Sequence, residues 1–419
     1  MSFLTWNGVK PLPSDDPINP RHGGHYVLRE VWNHLPVWAC VFNFLSMAFM
    51  AMAFFTPSRT IYVLTAGFPL FWTVLYFYAR FTTDPVRKTG ATRSTLKIVL
   101  VCVGLLLTVA AFVRPMVGNN VATPIAQMYP GAHVQLDAAH SIVDSANHPV
   151  LDTTGRPLQQ NQLMTASDGR QYKVEGKLLI DLDKKHALAT YWEVSSILST
   201  ALFLIHCLYF RGGVGLIKFF VATLLYGFLL ESGGVARDVF RELDYNLYLP
   251  FFAAPVATMS GWAVVFYTAV FTYEMIEKGW PWLRKVNPLL IGLVISLIAL
   301  FRDLAADPVA TGLALWTWNE RLPGWYFGVP LINFTAWLCA VFVYGVGYTF
   351  INRRTWKQPI KITAMFAMIP LLLMASGRLN FTLCDAIEGP HGPAWQIVHN
   401  PLPPIGRDHL TPLHSSHEQ

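Results

Sequence analysis

Asp303 and Asp307 close an apolar run, Leu289–Leu300, in a stretch that otherwise reads as membrane-embedded. Four residues apart on a helix, both side chains leave one face, about one turn apart. A carboxylate at membrane depth costs about 2.5–3.5 kcal/mol even on insertion scales, so it calls for a partner or a task. Within about thirty residues follow Trp316, Trp318, Glu320, the run Gly324–Pro330 with Trp325 and Tyr326, and then Asn333. Glu231 ends another apolar run and precedes Arg237, Asp238, Arg241, Glu242 and Asp244. Carboxyl groups crowded into a low-dielectric pocket hold a proton near neutrality. Such a neutral acid under an apolar cavity can protonate an alkene, and Trp or Tyr faces can shelter the carbocation. Water or an internal double bond then captures it.

Each residue also has a plainer reading. Asp303 with Arg302, or Glu231 with Arg237, fits an ordinary ion pair at a helix end. Trp316, Trp318, Trp325 and Tyr326 fit an interfacial aromatic belt. Asp307-Pro308 fits a cap that restarts a helix, and Asn333 fits a polar link between helices. Their concentration on one expected face favours a site.

The elements that must position these residues are membrane helices. Charged residues are only 13% of the 419 and hydrophobic ones 53%, with a mean hydropathy of +0.38; soluble domains carry about 25% charged residues. Runs of near bilayer-crossing length are Leu35–Phe55, Thr60–Tyr78, Leu96–Val113, Val194–Phe210, Gly215–Leu230, Pro250–Tyr273, Pro288–Leu304, Val329–Phe350 and Ile360–Ser376. The expected fold is an all-α polytopic membrane protein of about nine transmembrane helices with a small extramembrane β-containing lobe. Basic loops after the second, sixth and eighth runs share one side, which the positive-inside rule makes the cytoplasm, with the N-terminus in and the C-terminus out. The expected divisions are a cytoplasmic tail, 1–34; a three-helix segment, 35–113; an extracytoplasmic lobe, 114–193; a six-helix domain, 194–376; and an irregular tail, 377–419. The lobe is polar, with turn signals at Thr154-Gly155 and Asp168-Gly169.

The tail before the first run lacks a signal-peptide pattern, so that run is expected to remain as an anchor. Five scattered cysteines offer no Cys-x-x-Cys pair. His22, His25 and His34 fall on the side opposite the acids, and His206 reads as a hydrogen-bonded core residue, so no metal is expected. Phosphate and dinucleotide loops are missing, no cofactor is expected, and the modest charge of +6 does not suggest nucleic acid.

Several runs together resemble the CruF-type carotenoid hydratases, membrane proteins of carotenoid biosynthesis. They are Leu224–Glu231, Ala254-Pro255 with Trp262, Asp303-x-x-x-Asp307-Pro-Val-Ala310, Trp316-Thr-Trp318, Gly324–Pro330 and Asn333-Phe-Thr-Ala-Trp337. The resemblance covers about residues 195–376. It implies cofactor-independent addition of water to the terminal double bond of an acyclic polyene or isoprenoid, in a bacterial inner (plasma) membrane. On that reading Asp303 and Asp307 supply acid and position water, and Glu231 and Glu320 are further acids. Trp262, Trp316, Trp318, Trp325, Tyr326 and Asn333 line the substrate site. Two departures stand out: the three N-terminal spans with the lobe, which could meet other membrane proteins, and Ser232-Gly-Gly-Val-Ala-Arg-Asp238 after Glu231. The rival expectations are a cyclase using the same protonation and a non-enzymatic transporter or assembly subunit.

Overall fold

The computed structural model describes residues 34–37, 39–41, 121–135, 140–165, 169–402 and 405. The expected spans Leu35–Phe55, Thr60–Tyr78 and Leu96–Val113 lie outside these residues, save for the short helical piece at 34–41. There Leu35, Val37 and Ala39 pack on the bundle core, and Thr272 Oγ1 lies 3.3 Å from Cys40 Sγ.

Strands β1 (Ala122–Pro124), β4 (Leu163–Thr165), β5 (Gln171–Glu175) and β6 (Leu178–Asp181) form one antiparallel sheet in the order β1-β6-β5-β4. A one-turn helix α1 (Ile125–Met128) follows β1, and β2 (His133–Val134) pairs with β3 (Ile142–Val143). Ile125, Ile142, Leu158, Val174 and Leu179 fill a small core beneath. A core this small is weak by itself, and the lobe leans on the helices through buried polar contacts. Lys173 Nζ pairs with Asp244 at 3.0 Å, Lys185 Nζ donates to the carbonyls of Ala314 and Leu315, and Thr317 donates to Glu175.

Helix α2 (Leu182–Gly215) begins at the lobe's edge, earlier than the expected Val194, because Asp181 caps it by accepting the Lys184 N–H at 3.2 Å. A π-helical turn, Leu216–Val221, leads into α3 (Ala222–Ala236). Helices α4 (Val256–Gly279), α5 (Pro288–Gly312), α6 (Leu331–Asn352) and α7 (Gln358–Glu388) follow, with β7 (Phe240–Arg241), β8 (Thr317–Trp318) and α8 (Pro393–His399) at their ends.

Among the described residues five helical stretches are long and apolar enough to cross a membrane. The first, Leu182–Ala236, runs for 55 residues; a straight helix of that length would measure about 80 Å, far beyond a hydrocarbon core of about 30 Å. It is broken at Gly212, whose φ of 64° and ψ of −176° no helix contains. Trp192 near its start and Glu231 near its end consequently line the same cavity. The central helix is α4, with 89% of its apolar window buried, and Phe266, Tyr267 and Phe271 on it pack with Phe219, Phe220 and Tyr344.

Two expectations are corrected here. Asp307-Pro308 does not restart a helix: α5 continues through Pro308 to Gly312, keeping both acids on one face. Of the tail expected to be irregular from residue 377, the described part is largely helical, since α7 continues to Glu388 and α8 follows to His399. Burial explains this, because Cys384, Ala394 and Ile397 pack against Leu322 and Ile332.

Candidate functional site

Close helix packing builds the site. Gly292 on α5 faces α6, where a Cβ would come within 2.9 Å of the Phe342 carbonyl, and a Cβ at Gly345 would come within 3.2 Å of Gly292 Cα. The two antiparallel helices therefore approach closely, and about three turns along Asn333 meets the acids. Its Nδ2 lies 3.0 and 3.1 Å from the two Asp303 oxygens and 2.6 Å from Asp307 Oδ2. The one amide thereby holds the two carboxyl groups side by side. Asp303 is 0% and Asp307 4% exposed, and Asp307 opens on a cavity of about 960 Å³.

Glu231 reaches the same cavity from α3. One turn earlier, Gly227 leaves room for α4, since a Cβ there would sit 2.4 Å from Trp262 Cβ. Trp262 Nε1 then donates to Glu231 Oε2 at 2.6 Å, while its ring packs on Trp337 at 4.4 Å between centroids. Behind Glu231 lies Glu242, 0% exposed. Its Oε2 accepts from Thr258 Oγ1 at 2.9 Å, and Oε1 receives no bond from a protein donor. Glu231 is an acidic neighbour of Glu242, and two carboxyls in one low-dielectric site favour a proton on one of them. Burial, and then the adjacent Glu231, push Glu242 well above the usual carboxylate range, against the opposing pull of Thr258 and Lys185.

The remaining walls are aromatic and polar. Trp316 meets Trp192 edge to face at 5.8 Å, and Trp318 is fixed by its Nε1 bond to Thr311 Oγ1 at 3.0 Å. Arg302, Arg237, Thr258, Ser376 and Asn380 also line the space. Arg237 donates to the Gly233 carbonyl at 2.9 Å and not to Glu231. Arg302 forms no ion pair with Asp303.

Of the residues singled out from sequence, Glu231, Trp262, Asp307, Trp316, Trp318 and Asn333 line the cavity, and Asp303 stands directly behind through Asn333. Glu320, Trp325 and Tyr326 do not. Glu320 faces the lobe, where Arg241 Nη1 binds it at 2.6 Å and Asp238 binds the other side of the guanidinium at 2.7 Å. Burial alone would raise Glu320, but Arg241 outweighs that and holds it below its ordinary value. Trp325 is 61% exposed and packs on Phe334 with Tyr326, at 5.8 and 5.6 Å. Sequence reading named Glu242 only among the charged residues after Glu231, from which no spacing singles it out, and passed over Thr258 and over Trp192, which belongs to the lobe boundary. Among the described residues no group of three His, Cys, Asp or Glu side chains could hold a metal ion.

The segment with this geometry can be compared with known proteins. Residues 191–389 match the family described as carotenoid biosynthesis protein. Over that stretch the chain is similar to the carotenoid biosynthesis family. Comparison with curated proteins and with solved structures found no match. The matched stretch runs from Tyr191, beside the cavity wall at Trp192, to Gly389 at the end of α7. It therefore takes in Glu231, Glu242, Asp303, Asp307 and the aromatic walls. Family and apolar helices together support a membrane protein with a role in carotenoid biosynthesis.

Proposed function

We propose that the helical domain matched over residues 191–389 is a hydratase of carotenoid biosynthesis that protonates the terminal double bond of an acyclic polyene and adds water to give a tertiary alcohol. The observation that carries this reading is the Asp303–Asp307 pair, held together by Asn333 and opening through Asp307 on an aromatic-walled cavity. Protonation of a trisubstituted alkene needs an acid sheltered from bulk water and a surface that tolerates a cation. The paired carboxyls supply the acid, and the faces of Trp262, Trp316, Trp318 and Trp337 supply the surface. Asp303 and Asp307 are the proton donors on this reading, with Asn333 holding their geometry. Glu320, Trp325 and Tyr326 have no part in it.

Hydration is favoured over cyclisation by the polar part of the wall. Arg302, Thr258, Ser376 and Asn380 give water several partners inside the cavity, whereas a cyclase needs its cation kept from water until an internal alkene reaches it. A polyene can enter sideways from lipid, as its solubility demands.

The test is expression in a carotenoid-producing bacterial host with mass analysis of extracted polyenes. A gain of one water, lost in Asp303→Asn and Asp307→Asn, is expected. Unchanged mass with a shifted absorption spectrum would point to cyclisation. No product from well-inserted protein would move the reading to transport or assembly.

A further inference from the structure

The cavity meets two carboxyl pairs on different helices. Asp303 and Asp307 descend from α5 and share Asn333, and Glu231 with Glu242 behind it stands on the α3 side, anchored separately by Trp262 and Thr258. Addition of water needs two proton transfers in opposite directions. One proton goes to the alkene carbon, and one leaves the attacking water. A single pair could perform both only by turning round within one catalytic event, whereas two pairs divide the work.

We propose that Glu231 is the base that deprotonates the attacking water, and that Glu242, held by Thr258, is a positioning residue that keeps Glu231 ready for that role. This rests on the hydratase reading above. The alkene π electrons take the proton of the Asp303–Asp307 pair, forming a C–H bond and leaving a tertiary cation. A water lone pair forms the C–O bond. The water O–H bond breaks, and its proton passes to the Glu231 carboxylate. The aspartate pair is then one proton short and the glutamate pair one proton long. Return through cavity water restores both, so no outside acid, base or oxidant is consumed.

The anchors suit these roles. Trp262 Nε1 occupies Oε2 of Glu231 at 2.6 Å, which fixes the carboxylate plane and leaves its other oxygen for water. Glu242 is wholly buried and does not line the cavity, so it acts only through Glu231. The groups facing it are Glu231 from α3, Lys185 from α2, Asp307 from α5, Thr258 from α4 and, on its own segment, Tyr245 and Tyr248.

The experiment uses membranes carrying the full chain, lycopene as probe, and buffer made in D₂O. Two products are followed: hydrated polyene, and unhydrated polyene that has gained deuterium at its terminal unit. Deuterium enters whenever the acid protonates the alkene and the cation then gives up a proton. Glu231→Gln is expected to lower hydration by about 10²–10⁴-fold, the usual worth of a positioned base, while deuterium still enters the recovered substrate. Asp303→Asn is expected to abolish both. Glu242→Leu is expected to depress hydration and move the acidic limb of its pH profile upward. Glu242→Gln, which can still donate to Glu231 and accept from Thr258, is expected to recover most of the rate and the profile. If Glu231→Gln, inserted at wild-type level, loses deuterium entry along with hydration, the base assignment is overturned. Equal losses in Glu242→Leu and Glu242→Gln at every pH would overturn the positioning role. Wild-type membranes that neither hydrate lycopene nor exchange deuterium would overturn the hydratase reading itself, and this assignment with it.

Discussion

The side-chain amide of Asn333 lies 2.6 Å from Asp307 Oδ2, joining α6 to the acid-bearing face of α5. The same nitrogen reaches both oxygens of Asp303, so a single amide orients both acids. Hydrogen bonds to charged groups are worth about 1.5–3 kcal/mol. Asn333→Leu is expected to leave the protein in the membrane and to slow product formation by at least about tenfold, in line with the lower end of that range. Product per inserted protein, from extracts and quantitative blotting, checks this.

Glycine at 227 is required by the approach of α3 to α4, not by backbone freedom. Gly227→Ala puts a methyl 2.4 Å from Trp262 Cβ, and overpacking of this kind costs about 1–3 kcal/mol. The displaced indole loses its bond to Glu231. A Cβ at Gly261, one residue before Trp262, would meet nothing within 4 Å, so Gly261→Ala is expected to stabilise by up to about 1 kcal/mol through helix propensity. Detergent melting curves of the two variants should shift in opposite directions.

Two loops of the bundle are joined by Arg241, which Glu320 and Asp238 grip from two sides, and the lobe packs on this cluster at Gly176. Gly176 permits it, because a Cβ there would fall 1.8 Å from Glu320 Oε1. Glu320 is held below its ordinary value of 4.5, so its contribution is full above that value and lost as pH falls through the depressed folded value. Removing one partner of a buried pair costs about 3–5 kcal/mol. Glu320→Gln is therefore expected to lower the melting temperature at pH 7 and to flatten its fall between pH 5 and pH 3, compared with wild type.

At the opposite end of the bundle, Arg211 stands beside the break at Gly212. It grips Glu274 through both guanidinium nitrogens at 3.1 and 2.6 Å, and Tyr348 Oη at 2.8 Å. This cluster lies a helix length from the acids, so its loss should alter stability and not chemistry. Arg211→Met is expected to cost about 3–5 kcal/mol, the penalty of stranding a buried charge. Arg211→Met with Glu274→Leu should recover much of that. Melting curves read the first effect, and an unchanged product mass in surviving protein reads the second.

What the amino-acid order determined by itself is what depends on neighbours along the chain. Hydropathy and helical period are such properties, and they locate the helices and put Asp303 and Asp307 on one face. The turn signals of the lobe are equally local, and the ordered runs around the acids and tryptophans carry the family. What only the tertiary structure decided is which polar residues between the helices turn inward. Arg241 and Glu242 are consecutive in extended backbone, where side chains alternate sides. Arg241 goes to Glu320 and the lobe, and Glu242 goes to Thr258 and Glu231. Their spacing is the same whichever way the segment faces, so nothing local could tell Glu242 from Glu320. The choice was made by contacts between segments far apart in the chain: Gly227 against Trp262, Gly176 against Glu320, and Lys185 on the carbonyls before Trp316.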